Sequence, residues 1–201
     1  MPEPIRELPA DYVMADRYLL TDQKVLMRLN LAALIPLFAM LVFMAVWQVI
    51  VGQLRVMGIL PAPIFNIELP WWASLVVSLV IVLPLHELLH GLTIRYYGHP
   101  VKYGFKPQLG ILYALAENAL FRRREYIVIL LMPIVVITLL GMAINALAGD
   151  GLAYTVALGV IFNAGGAIGD LWMTGIVLRY PARVIVKDET TGFSIFDRRN
   201  G

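Results

Sequence analysis

Residues 71–97 read WWASLVVSLVIVLPLHELLHGLTIRYY, and this stretch decides what kind of protein the chain is. Leu69–Leu85 carries no Asp, Glu, Lys, Arg or His, and the apolar pattern continues beyond it to the end of the stretch. About 20 apolar residues cross a hydrocarbon core of ~30 Å as a helix, so the length predicts a transmembrane span. His86, Glu87 and His90 interrupt the apolar pattern, and these three ionisable side chains need an explanation.

Three further apolar segments organise the rest of the chain. Leu29–Leu54 and Tyr126–Gly149 contain no Asp, Glu, Lys, Arg or His, and Gly151–Gly169 contains none until Asp170 follows it. We therefore expect an all-α membrane protein with four transmembrane helices and short cytoplasmic β-hairpin elements. The whole chain, residues 1–201, is predicted to form a single membrane domain. The predicted spans are about 29–52, 71–97, 126–148 and 152–178, with cytoplasmic tails at 1–28 and 179–201.

The composition excludes several classes of protein. Hydrophobic residues make up 60% of the chain and charged residues 15%, whereas soluble domains carry roughly 45–50% and about 25%. The net charge of +2 does not favour nucleic-acid binding. The chain has no cysteine, which excludes disulfides, thiolate zinc sites and thiol nucleophiles. Acidic residues in the first 28 positions do not suit a cleaved signal peptide, so we expect the first span to be retained.

The basic residues predict the orientation. With four spans, both tails and the second loop lie on one side, which then carries fifteen of the sixteen Lys and Arg residues. Only Arg55 lies on the other side. Because basic loops stay in the cytoplasm, both termini are predicted to be cytoplasmic.

Two stretches outside the spans have the alternation of β-strands. Val101–Lys106 is predicted to turn back at Gln108–Gly110 and pair with Ile111–Leu115. The tail segment Arg183–Phe196 is predicted to form two short strands around Glu189–Gly192. The alternative is that both are ordinary loops beside the membrane.

The interrupting residues form the pattern His86-Glu87-Leu88-Leu89-His90. Residues four apart lie on one helix face, so the two imidazoles can bind one zinc ion while Glu87 reaches a water held by that metal. Each charged side chain at the centre of a span costs about 2.5–3.5 kcal/mol on insertion scales, so such residues rarely persist without a task. The pattern also arises by chance on solvated helices, but the apolar flanks leave no soluble helix here. A structural polar cluster or an inactive relic of an enzyme remains as an alternative.

Zinc needs a third protein ligand, and the sequence favours Asp170. Glu87 precedes Arg95 by eight residues and Asp170 precedes Arg179 by nine, so both lie ~12–14 Å below the cytoplasmic boundary at 1.5 Å per residue. Glu117 remains an alternative if its loop re-enters the membrane.

The other candidates fit less well. His99 is too far along the helix from His90, and Asp150 is on the external side. Asn163 shares a helical face with Asp170 and can hydrogen-bond the backbone of an extended substrate, or serve only in helix packing.

The stretch HELLHGLTIRYYGHPVKYGF resembles site-2 protease-type intramembrane metalloproteases, in which H-E-x-x-H is followed by a glycine and a short sheet. FRRREYIVILLMPIVVI, FNAGGAIGDLW and VKDETTGFSIF resemble a family of small prokaryotic membrane proteins described as zincin peptidases. The resemblance covers roughly residues 70–196. It implies that His86, His90 and Asp170 bind zinc and that Glu87 is the catalytic base. In site-2 proteases a proline lies between the Asn and the Asp, and a glycine follows the Asp. Here no proline separates Asn163 from Asp170, and Leu171 follows it.

The expected function is hydrolysis of a peptide bond in a membrane-associated protein by Glu-assisted attack of zinc-bound water. The expected cofactor is Zn²⁺, and the expected partners are a membrane-embedded or membrane-tethered protein substrate and the lipid bilayer. The resemblance implies the inner membrane of a prokaryotic cell. The alternative is a catalytically silent, zinc-stabilised membrane scaffold or assembly factor. A metal transporter is disfavoured because the outer halves of the spans offer no ionisable residue.

Overall fold

The computed structural model describes residues 3–19, 23–106, 111–189 and 192–199. The described part is mostly helical, as the sequence predicts, with two small antiparallel sheets. In chain order the elements are β1 (Tyr12–Leu19), α1 (Gln23–Ala32), α2 (Leu34–Val56), α3 (Trp71–Tyr96), β2 (Lys102–Lys106), β3 (Ile111–Leu115), β4 (Leu120–Arg122), α4 (Arg123–Leu147), α5 (Asp150–Gly166), α6 (Ile168–Val177), β5 (Ile185–Glu189) and β6 (Gly192–Arg198).

Among the described residues, three helical stretches are long and apolar enough to cross a membrane. They are Gln23–Val56, Trp71–Tyr96 and Arg123–Leu147, and the pair α5 and α6 gives a fourth if it counts as one span. The segment predicted as a span over 152–178 consists of two helices, because α5 ends at Gly166 and α6 begins at Ile168, with a bend of 44° between them. Glycines at 165, 166 and 169 weaken the helix around this break, since glycine loses the most backbone entropy in a helix.

Two compact units divide the described residues. The first unit consists of Met1–Leu31, Glu87–Met132 and Gly169–Gly201, and the second consists of Ala32–His86 and Pro133–Ile168. The border between the units falls inside α3 and α4, so each of these helices contributes to both.

The first unit contains a four-stranded antiparallel sheet in the order β1-β6-β5-β4. The predicted tail hairpin is confirmed, with Ile185 opposite Phe196 and Glu189 opposite Gly192. The sequence did not predict β1, whose Tyr12 pairs with Arg198 and which has an irregularity between Met14 and Asp16. Nor did it predict β4. The core under the sheet includes Phe121, Tyr126, Phe193, Ile195, Ile94, Val177 and Val186.

Asp188 joins this sheet to the turn that precedes β4. Its Oδ2 atom accepts a hydrogen bond from the Ala116 N–H at 3.2 Å, and its backbone carbonyl accepts one from the Asn118 N–H at 2.9 Å. Burial raises the pKa of the Asp188 carboxyl to about 7. The C-terminal hairpin therefore fixes the end of the segment that contains β2 and β3.

The second sheet, also in the first unit, is the predicted hairpin of β2 and β3. Lys102 lies opposite Leu115 and Phe105 opposite Leu112, which confirms this pairing. The predicted turn at Gln108–Gly110 lies outside the described residues.

The second unit is helical, and its helices are joined by polar contacts. The side chain of Arg55 donates to the backbone carbonyls of Ala146 at 3.0 Å and Ala148 at 2.7 Å, at the end of α4. The Asn145 amide donates to the Ala153 carbonyl at 2.8 Å. The Arg55 contacts satisfy carbonyls at the C-terminal end of α4, which have no intrahelical partner.

Candidate metal centre

Helix α3 places the two histidines on one face. His86 and His90 are four residues apart, and His90 is buried, with 8% of its surface exposed. Helix α3 ends at Tyr96, and the chain turns away from it at Gly98, whose φ of 83° is the left-handed conformation that glycine adopts without strain. There the N–H of Gly98 bonds the Arg95 carbonyl and the N–H of His99 bonds the Ile94 carbonyl, a common way to close a helix.

His90 is oriented by the backbone of α4. Its Nδ1 atom lies 2.8 Å from the Ile129 carbonyl oxygen. A carbonyl oxygen only accepts, so Nδ1 carries the proton and donates. The other ring nitrogen, Nε2, lies 3.4 Å from Oδ2 of Asp170.

His86 is oriented in the same way by Asn163. The Nδ1 atom of His86 lies 2.9 Å from Oδ1 of Asn163, and Nδ2 of Asn163 donates to the Pro133 carbonyl oxygen at 3.4 Å. Because that carbonyl only accepts, it fixes which end of the amide is the NH₂ group, and Oδ1 is left to accept from the imidazole. His86 is therefore also protonated at Nδ1. Metal-binding histidines commonly have one ring nitrogen held in this way.

Asp170 lies in the first turn of α6 and is buried, with 8% of its surface exposed. The break before Ile168 places this carboxylate beside the N–H groups of a helix N-terminus, where negative charge is stabilised. His86, His90 and Asp170 each offer one ligand atom, and these atoms lie within 4.8 Å of one another.

The donor set fits zinc. Two ligands ~2.0–2.1 Å from zinc at a tetrahedral angle are about 3.3 Å apart, close to the 3.4 Å between Nε2 of His90 and Oδ2 of Asp170. Two imidazoles and one carboxylate are the ligands of catalytic zinc sites that keep a fourth position open. The three residues can therefore hold a zinc ion.

The alternative candidates from the sequence lie elsewhere in the described structure. Glu117 is half-exposed and forms an ion pair with Lys102 at 2.6 Å. His99 packs edge-on against Phe121, with 4.7 Å between ring centroids, and burial lowers its pKa. Asp150 is exposed at the start of α5. Among the described residues, the side chains that lie close enough together to hold a metal ion are those of His86, His90 and Asp170. None of the three alternative candidates belongs to this group.

Glu87 is half-buried on α3, next to His86, and Gly91 lies one turn further along the same face. The phenol of Tyr103, on β2, occupies the space that a Cβ atom on Gly91 would need. Any larger residue at position 91 would displace Tyr103. The glycine after the motif therefore lets the β2–β3 hairpin pack directly against the helix that carries Glu87.

Sequence reasoning missed two parts of this site, the Ile129 carbonyl and the Gly91–Tyr103 contact. A backbone carbonyl has no residue type to signal it. The one indirect indication of the free Ile129 carbonyl in the sequence was Pro133, which lies four residues later in an apolar segment and has no N–H to donate to it.

Comparison with known proteins agrees with the donor set. A group of two histidines and one aspartate is typical of zinc-binding proteins. The chain belongs to the family described as "Putative zincin peptidase", whose model matches residues 79–185. The match includes the three candidate ligands and Glu87. No curated protein and no solved structure matches the chain.

Proposed function

We propose that the protein is an intramembrane zinc metallo-endopeptidase that cuts a membrane-associated protein. The observation that carries the proposal is the cluster of His86, His90 and Asp170 in a chain whose helices are long and apolar enough to span a membrane. Family membership supports zinc peptidase chemistry. The position of the histidines inside the apolar helix α3 supports placing that chemistry within the bilayer.

In the proposed mechanism each residue of the site has a separate task. Zinc, when bound, supplies a Lewis acid that polarises the scissile carbonyl and lowers the pKa of water to about 7. Glu87 accepts a proton from the attacking water and passes it to the leaving amine, as a carboxylate near the metal can. Asn163 holds His86. Its predicted role in binding the substrate backbone remains a prediction.

The β2–β3 hairpin is the proposed substrate-binding element. It packs on Gly91 through Tyr103, beside the helix that carries Glu87, and a peptide unwound from a helix can add to a strand edge by backbone hydrogen bonds. A helix in the bilayer must give up its internal hydrogen bonds before it can be cut, so an edge that replaces them lowers the cost.

The decisive experiment compares wild-type protein with Glu87→Gln. The amide cannot take the proton, so turnover should fall by roughly 10²–10⁴-fold while zinc content stays the same. Quantitative proteomics of membrane fractions should show one or more membrane proteins shortened in wild-type cells and intact in the variant. Identical membrane proteomes in the presence of bound zinc would favour the catalytically silent scaffold.

We also propose that both termini lie in the cytoplasm of a prokaryotic cell, at its inner membrane. The absence of cysteine allows single cysteines to report topology without background. Cysteine at the exposed positions Lys102 and Arg199 should react only with membrane-permeant reagents in intact cells. Cysteine at Ile59 and Asp150 should also react with impermeant ones. The reverse labelling pattern would place the site near the other leaflet.

A further inference from the structure

Pro133 lies in the interior of α4, where a proline changes the hydrogen bonding of the helix. In an α-helix the N–H of residue 133 would donate to the carbonyl of residue 129. Proline has no N–H, so this bond is absent and the Ile129 carbonyl is left without its intrahelical donor. Ile129 is buried, with 4% of its surface exposed, and a buried carbonyl without a partner costs free energy.

His90 supplies the missing donor. Its Nδ1 atom is 2.8 Å from the Ile129 oxygen, a normal hydrogen-bond length. The vacant carbonyl thus accepts from Nδ1–H and orients the ring so that Nε2 is turned toward Asp170, 3.4 Å away, where a metal would bind.

The carbonyl of Pro133 itself acts on the other histidine. It accepts from Nδ2 of Asn163 at 3.4 Å, and Oδ1 of Asn163 accepts from His86 at 2.9 Å. Two carbonyls one turn apart on α4, those of Ile129 and Pro133, therefore orient both candidate ligands, one directly and one through Asn163.

We propose that Pro133 is a positioning residue of the metal site. Because Pro133 has no N–H, the Ile129 carbonyl is available to accept from His90, and this hydrogen bond turns Nε2 of His90 toward the metal position. The inference rests on the proposed zinc site, but it concerns the imidazole itself and can be tested without peptidase activity.

The test uses two substitutions that both restore the N–H, in the full-length protein. Pro133→Val keeps most of the side-chain volume, and Pro133→Ala does not. If the restored N–H competes for the Ile129 carbonyl, both variants should bind zinc about 10–100-fold more weakly than wild type, the usual effect of losing an outer partner of a ligand. Zinc affinity is measured by competition with a chromophoric chelator.

The matched control is Pro84→Val on α3. Pro84 is also inside a helix, but it is exposed, whereas the carbonyl four residues before Pro133 is buried. This variant should keep wild-type zinc affinity. A loss of affinity in Pro133→Ala without a loss in Pro133→Val would show a packing effect and overturn the proposal.

The second measurement is the ring ¹⁵N spectrum of zinc-free protein labelled at its three histidines. In wild type the Nδ1–H of His90 should be detected as a hydrogen-bonded proton protected from exchange by the Ile129 carbonyl, and both Pro133 variants should lose that protection. Unchanged histidine spectra with unchanged zinc affinity would overturn the role of Pro133. Failure of wild type to bind zinc would instead contradict the proposed function, and the spectra would still decide the proposal on Pro133.

Discussion

Helices α2 and α3 are similar in length and apolar character, yet they differ in which of their side chains are buried. In α2 only Met44 and Val51 are buried, and apolar side chains point outward all along the helix. In α3 the buried positions include Ser74, Ser78, His90 and Thr93, and the first three of these are separated by multiples of four residues, as in one row along a helix.

The difference shows what apolar residues and polar residues each indicate in a long apolar helix. Apolar content alone identifies a helix that can cross a bilayer, but it does not tell which face is buried, because lipid is as apolar as a protein core. The polar residues carry that information, since they turn away from lipid. In α3 they also mark the face that carries the candidate metal ligands.

The strongest test of this contrast removes a polar side chain from each helix. His86→Ala or His90→Ala should abolish stoichiometric zinc binding, because two remaining protein ligands rarely hold zinc tightly. Gln48→Ala, in the middle of α2, should leave zinc content at the wild-type level. Metal analysis of the purified variants decides the matter. Zinc retained in both histidine variants would show that the stripe on α3 is structural.

A smaller effect is expected at the third ligand. Asp170→Ala should weaken zinc binding by about 100-fold or more, because the metal loses one of three protein ligands and His90 loses its carboxylate neighbour. Glu117→Ala should change the affinity little, since Glu117 is paired with Lys102 at the surface. Zinc lost in Glu117→Ala but kept in Asp170→Ala would show that the third ligand is Glu117, in the loop between β3 and β4, and not Asp170.

The mildest effect should come from the hairpin, which touches α3 but holds no ligand. Proline at Tyr103 or Phe105 should reduce cleavage of an identified substrate by roughly tenfold, since each proline removes a backbone donor from the strand. Zinc content should not change. Turnover equal to wild type in both variants would mean that the hairpin is an ordinary loop.

Much of this architecture follows from the sequence, and the missing parts have physical causes. The apolar segments, the motif and both hairpins were predicted because each rests on a local pattern. Strand β1 was missed because its partner β6 lies about 180 residues away, and YVMADRYL has no clean alternation of its own. The helix break at Ala167 was missed because glycines serve equally well in close helix packing and in a break.

The site shows the same limit. The residue types and spacing of His86, Glu87 and His90 were enough to suggest zinc chemistry, and depth along the helices was enough to select Asp170. The hydrogen bonds that orient the imidazoles depend on backbone carbonyls, which no residue type encodes. Pro133 alone gives an indication of these hydrogen bonds in the sequence, because a proline inside a helix leaves the carbonyl four residues before it without a donor.

The pairing of β1 with β6 has a consequence for the order of assembly. Both strands belong to the compact unit that also contains Glu87, His90 and Asp170. A ribosome adds about 5–20 residues per second, so β1 waits roughly 10–35 s for its partner to be synthesised. Through that interval the sheet is incomplete and Asp188 has not yet been added. If the protein is the proposed peptidase, its activity would therefore begin only after β6 has been synthesised, at the end of the chain.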